Sequence, residues 1–212
     1  MRPLAALVLV SAGCAPEGDP VPAGAPPAPP GAVLLVEDLP IRAEEVEPLV
    51  RDIRQLYPEY TLLHARRLAL TNEILPRAAV HARHREAREA ALVACRDAEA
   101  RLDEESPWSS EGNWAALGIG LWSAARALHP QRWSEPIELI GRWVRLRLDE
   151  RREGTDPQQE VLRISVLEFP YVDYRAAPEA VELALDTSSL TLVDPAWGEA
   201  VPETWKHRMR GP

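Results

Sequence analysis

Two neighbouring stretches, "RWVRLRLDE" (residues 142–150) and "VLRISVLEF" (residues 161–169), restrict what this chain can fold into more than any other feature. In the second, Leu162, Ile164 and Val166 alternate with Arg163 and Ser165, a period of two that puts the apolar side chains on one face of a strand and the polar ones on the other. The segment between the two, "RREGTDPQQE", supplies the Gly, Asp and Pro of a hairpin loop. The pair predicts an antiparallel sheet with one apolar face, and such a face must be covered by a second layer.

That layer is predicted upstream. "VLLVEDLPI" (residues 33–41) reads as a short strand, a tight turn and a second extended piece. In "RAEEVEPLVRDIRQLY", Val46, Leu49, Val50, Ile53 and Leu56 recur at helical spacing behind an acidic first turn, and Pro58 stops the helix. A long helical region follows over residues 61–102, kinked or divided near Pro76, whose nitrogen cannot donate to the helical ladder. "DEESPWSSEGNW" (residues 103–114) is a polar loop, "APEAVELALDTSSL" a last helix, and the tail with Trp197, Trp205 and His207 is irregular. Helices first and antiparallel sheet second give an α+β class, divided into a helical region at 32–105 and a sheet-bearing region at 106–212.

The first residues, "MRPLAALVLVSAGC", carry one positive charge at Arg2, a short apolar run and then small residues before Cys14. This is the pattern of an export signal, over residues 1–13, and it is too short to span a bilayer. Small residues directly before a cysteine resemble the lipobox of bacterial lipoproteins, although Ser11 stands where that motif usually has Leu. The resemblance implies lipid attachment at Cys14, a membrane anchor and a place in the cell envelope, facing the periplasm or the exterior. Residues 15–31 contain seven prolines and four alanines, a composition that buries little and favours extended backbone, so they read as a tether.

A formal net charge of -9 argues against nucleic acid as a partner, since a basic face is expected there. With Cys14 assigned to the anchor, Cys95 has no cysteine to pair with, and its alanine-rich helical setting marks it as a small core residue. His81 and His84 share a helix face, but they lack a third ligand and Arg83 and Arg85 beside them repel a cation, so no metal site is assigned. "LGIGLW" (residues 117–122) lacks the third glycine of a dinucleotide loop and reads as a turn. No cofactor is indicated.

The order of these elements resembles the SurA-like and PrsA-like foldases, which carry parvulin-type peptidyl-prolyl isomerase domains. "LLVEDLPIRAEEVEPLV" is similar to that family's opening strand, turn and acidic helix start. "ARRLALTNEILPRAAVHARHREA" is similar to its following helix, and "ALHPQRWSEPIELIGRWVRLRLDER" to the closing parvulin element, with Ser134, Pro136 and Gly141 before the strand. The resemblance implies a helical, chaperone-like lobe followed by a small, mostly antiparallel parvulin-like sheet. It also implies unfolded or partly folded exported polypeptides as partners. Active members place one histidine on an opening strand, and an aromatic and a second histidine just after the glycine. Here Arg142 and Trp143 hold the latter positions, and no opening strand with a histidine is found.

Rotation about an X-Pro bond crosses a barrier of about 18–20 kcal/mol and needs an apolar pocket and a suitable polar environment rather than a nucleophile or metal. No catalytic residue is therefore assigned. Trp114, Trp122, Trp133 and Trp143 are the candidates to line a peptide groove between helical lobe and sheet, since aromatic faces hold extended chains without demanding one sequence. The expected function is a lipid-anchored envelope foldase or chaperone with weak or lost isomerase activity. Two alternatives stand beside it: an active isomerase with a non-standard pocket, and a non-catalytic lipoprotein subunit docking on one dedicated partner.

Overall fold

The computed structural model describes residues 29–98, 102, 107–172 and 178–210. Cys14 and the tether up to residue 28 lie outside the described residues, as does most of the 99–106 connection. The architecture is α+β, with helices on two four-stranded sheets.

The first sheet begins with a hairpin of β1 (Ala32–Val36) and β2 (Leu39–Arg42), closed by Glu37 and Asp38, with Glu37 at φ 55. The far side of β1 pairs antiparallel with β7 (Leu190–Leu192), which in turn lies parallel to β8 (Met209–Arg210). Glu37 ties the turn to the C-terminal segment: its amide donates to Ser189 O at 3.0 Å, and its carboxylate accepts from Ser189 N at 2.7 Å. Leu34 thus faces Leu192, and one sheet draws strands from both sides of the 105/106 division expected from sequence.

Helix α1 (Ala43–Leu56) buries Val46, Leu49, Val50, Ile53 and Leu56, the predicted stripe, and is capped where Arg42 N donates to Glu45 Oε1 at 3.2 Å. After Pro58, α2 (Leu62–Ala69) runs through a π-turn at Leu70–Ile74 into α3 (Leu75–Arg83), and α4 (Arg85–Asp97) follows. Pro76 leaves the helix without one donor, and the wider π-turn just before it absorbs the disruption. The break itself falls later than expected, at His84, whose backbone (φ -119, ψ 36) leaves the helical region. The first sheet, α1 to α3 and the C-terminal helix α7 (Pro178–Thr187) share a core that also takes in Trp197, Val201 and Trp205 from the tail. The tail is less irregular than its sequence suggests: a 3-10 turn at Pro195–Ala200 and a short helix α8 (Glu203–Lys206) seat those two tryptophans.

The second sheet is antiparallel throughout, in the order β3 (Trp108–Gly112), β6 (Val161–Pro170), β5 (Arg142–Arg152), β4 (Ile137–Leu139). The predicted hairpin joins β5 to β6, Leu146 facing Val166. On one face Val144, Leu146, Leu148, Leu162, Ile164 and Val166 pack under α5 (Trp114–Leu117) and α6 (Ile119–Arg126). The other face is covered too, which the alternation does not reveal. Helix α4 lays Leu92 and Cys95 on Trp143, and Arg145 is only 2% exposed, donating to the carbonyls of Cys95 and Ser134 at 3.3 and 2.6 Å. Ser165, read as outward-facing, is buried there and donates to Asp149 Oδ2 at 2.7 Å.

Candidate functional site

The second sheet divides the four tryptophans expected to share a groove, Trp114 and Trp122 lying on the face opposite Trp143. Trp122 is fully buried beneath the second sheet with Arg126 over its ring at 5.0 Å, and Trp114 packs beside it against Tyr57, edge to face at 5.5 Å. Trp143 projects from the opposite face of β5, under α4, where its indole donates to Arg88 O at 3.2 Å and Arg88 stacks on the ring at 4.7 Å. Trp133 bridges to Arg147, whose guanidinium lies 5.1 Å from its ring. Trp122 Nε1 and Trp133 Nε1 are buried with no hydrogen-bond partner among the described residues. Leaving such a donor unsatisfied costs about 1–3 kcal/mol, a burden carried by core and rim side chains whose rings fill space. Among the described residues, none of the four lines the two clefts that adjoin β4, one beside Glu73 and one beside Glu138.

The first of those clefts has a volume of about 420 Å³. The α5–α6 junction contributes Leu117, Gly118 and Leu121, and the turn from β4 to β5 contributes Leu139, Ile140 and Arg142. Val181 and Glu182 of α7 form a third side, and Glu73 of the π-turn a fourth. It thus joins segments that are remote in the chain. Gly118 can make the sharp passage between α5 and α6 because it sits at φ 80, where a side chain would be strained.

Glu73 is the unexpected member. Its Oε1 accepts from Gly120 N at 3.2 Å, so the carboxylate caps the first turn of α6, where amides have no partner inside the helix. A Cβ on residue 120 would stand 2.5 Å from Glu73 Cδ, so glycine is what allows the approach. Burial pushes the Glu73 carboxyl above its ordinary range; the Gly120 amide and the charges of Arg77 and Arg142 pull it back only in part. Arg142 reaches the same cleft with its Nη1 2.9 Å from Glu168 Oε1.

The second cleft, about 430 Å³, lies on β2, α3 and β4 and holds His81, Arg77, Arg88, Glu45 and Glu138. Its centre is Glu138, which accepts from Arg88 Nε and Nη2 at 2.7 and 2.8 Å and from Tyr171 Oη at 3.0 Å, with His81 Nδ1 3.9 Å away. Burial lowers His81 below the usual histidine value and raises the Tyr171 phenol well above its own. With the Arg88 and Tyr171 donors directed at Glu138, the cluster braces α3 and α4 against β4 and offers little to a ligand. His84 ends α3 instead of joining His81, and among the described residues no three His, Cys, Asp or Glu side chains are grouped to hold a metal ion.

Sequence reasoning missed Glu73 because a glutamate in a helical run reads as solvated. The one local signal was the glycine pair in "LGIGLW", and it does not name its partner. Among the described residues no helix is long and apolar enough to cross a membrane. No protein-family model, no curated protein and no solved structure matches the chain.

Proposed function

We propose that this chain is a lipid-anchored envelope protein that binds unfolded exported polypeptides, a chaperone resembling the parvulin-type foldases with isomerase activity weak or lost. The observation that carries the reading is the cleft between helices and second sheet, walled by Leu117, Leu121, Leu139, Ile140 and Val181, with no histidine among the described residues that line it. Each apolar client side chain seated there contributes about 1.5–3 kcal/mol before the cost of ordering the segment, so single segments bind weakly. Weak binding suits a protein that must release many clients. The lipobox-like cysteine and the proline-rich tether support an anchor that holds this cleft near a membrane surface.

The test uses the full chain in detergent, with aggregation of a chemically unfolded client followed by light scattering. Suppression by the wild type, lost in Leu117→Asp, is the expected result; a wild type that leaves aggregation unchanged sinks the proposal. Prolyl cis/trans exchange in a short proline peptide, measured by NMR, is expected to stay at its uncatalysed rate. Clear acceleration there would favour the enzyme reading instead, and tight binding of a single protein would favour the docking subunit.

A further inference from the structure

Charge distinguishes the Glu73 cleft from a plain apolar groove. Glu73 supplies a carboxylate in the wall, and Glu182 supplies a second on α7. Among the described residues lining it, Arg142 is the only cation, and its guanidinium already lies against Glu168 at 2.9 Å. Arg77, the other cation acting on Glu73, is directed toward Glu45 at 3.9 Å and the carbonyl of Glu138 at 3.4 Å. The balance at the cleft is therefore acidic. Glu73 accepts a single hydrogen bond among the described residues, from Gly120, and a carboxylate can accept several.

We infer that this cleft selects polypeptide segments bearing a lysine or arginine among apolar residues, the basic head reaching Glu73 and its methylene stem lying on Leu117, Leu121 and Val181. The inference rests on the polypeptide-binding reading and names its substrate class. A long basic side chain suits such a site because it is apolar along its stem and charged only at its tip. A carboxylate or phosphate in the same place would meet Glu73 and Glu182 with like charge. A wholly apolar segment would fill the cleft but leave the Glu73 carboxylate removed from water with one hydrogen bond among the described residues, that from the Gly120 amide, which is costly.

The experiment measures fluorescence anisotropy of dye-labelled Ala-Leu-Leu-X-Leu-Leu-Ala peptides, with X as lysine, norleucine or glutamate, against the full chain in detergent. Salt is held near physiological strength, where long-range attraction between exposed charges is screened. The lysine peptide is expected to bind roughly tenfold more tightly than the norleucine peptide, a share in keeping with one charge-assisted hydrogen bond, and the glutamate peptide most weakly. In Glu73→Gln, which keeps an acceptor for the Gly120 amide and so the cap on α6, lysine and norleucine peptides should bind alike. Equal binding of the two by the wild type, or a lysine preference that survives Glu73→Gln, overturns the inference while leaving the cleft a peptide site. Failure of all three peptides to bind overturns the polypeptide-binding reading and the selectivity with it.

Discussion

Replacing Gly120 by alanine puts a methyl group where Glu73 keeps its carboxylate. The new Cβ would lie 2.5 Å from Glu73 Cδ and Oε2 and 2.7 Å from Oε1, so the carboxylate must move. Backbone conformation does not oppose the change, since Gly120 lies within α6 and is not among the positive-φ glycines. Two effects then compete. Alanine in place of glycine in a helix contributes up to about 1 kcal/mol. Driving the carboxylate away removes its bond from the Gly120 amide, and bonds to charged groups are worth about 1.5–3 kcal/mol. The larger effect wins, and Gly120→Ala should destabilise by about 0.5–3 kcal/mol, the difference between those ranges. With Glu73→Ala already present the obstacle is gone, and the same change should stabilise by up to about 1 kcal/mol. Urea unfolding of the four chains in a double-mutant cycle measures the coupling directly. A stabilising Gly120→Ala in the presence of Glu73, or a coupling near zero, would refute the placement of that carboxylate at the head of α6.

Three further outcomes are expected. Trp122→Ala, which empties a fully buried site, should cost about 3–5 kcal/mol in urea unfolding, far more than a groove-lining residue would. Arg88→Met removes both guanidinium bonds to Glu138 and should cost about 1.5–3 kcal/mol by the same measurement, with Glu138→Gln in that background recovering part of it. Stability should also report His81 and Glu73 with opposite signs. Because burial lowers the His81 pKa from 6.5, the unfolded chain takes up that proton first, and this contribution is present above pH 6.5 and lost as the pH falls below it. Because burial raises the Glu73 pKa from 4.5, the folded chain holds that proton longer, and stability declines as the pH rises above 4.5. Unfolding midpoints should therefore fall less from pH 7 to pH 5 in His81→Gln than in the wild type, and decline less from pH 4 to pH 7 in Glu73→Gln.

Local patterns were legible in the sequence, and long-range partners were not. The α1 stripe could be read because five apolar residues recur at the helical period and nothing else satisfies that spacing. The β5–β6 hairpin could be read because alternation and loop chemistry agree. The pairing of β1 with β7 could not: Leu34 and Leu192 meet through backbone hydrogen bonds that carry no residue-specific signal across such a separation. Ser165 misled for a related reason, and the burial of Arg145 went unread. A polar residue on a strand reads as solvated until a second layer covers it, and here Cys95 of α4 and Ser134 before β4 bring carbonyls to Arg145, while Asp149 of the neighbouring β5 accepts from Ser165. The same blindness hid Glu73, whose acceptance of an α6 amide depends on a junction far along the chain.

The two residues after Gly141 show how strand geometry decides which side chain reaches the cleft. Consecutive strand residues point to opposite faces, so only one of Arg142 and Trp143 can reach a cleft on a given side of β5. Arg142 is that residue, beside Glu73 and Leu139, while Trp143 is fixed under α4 by its bond to Arg88 O and by the Arg88 guanidinium. A histidine at 143 would lie among Leu92, Cys95 and Phe169, away from any peptide held in the cleft. A histidine at 142 would enter the cleft but leave Glu168 without its ion pair and bring no second imidazole to meet it. A histidine introduced at either position alone should therefore leave prolyl exchange at its uncatalysed rate, because neither placement brings two imidazoles together at the cleft.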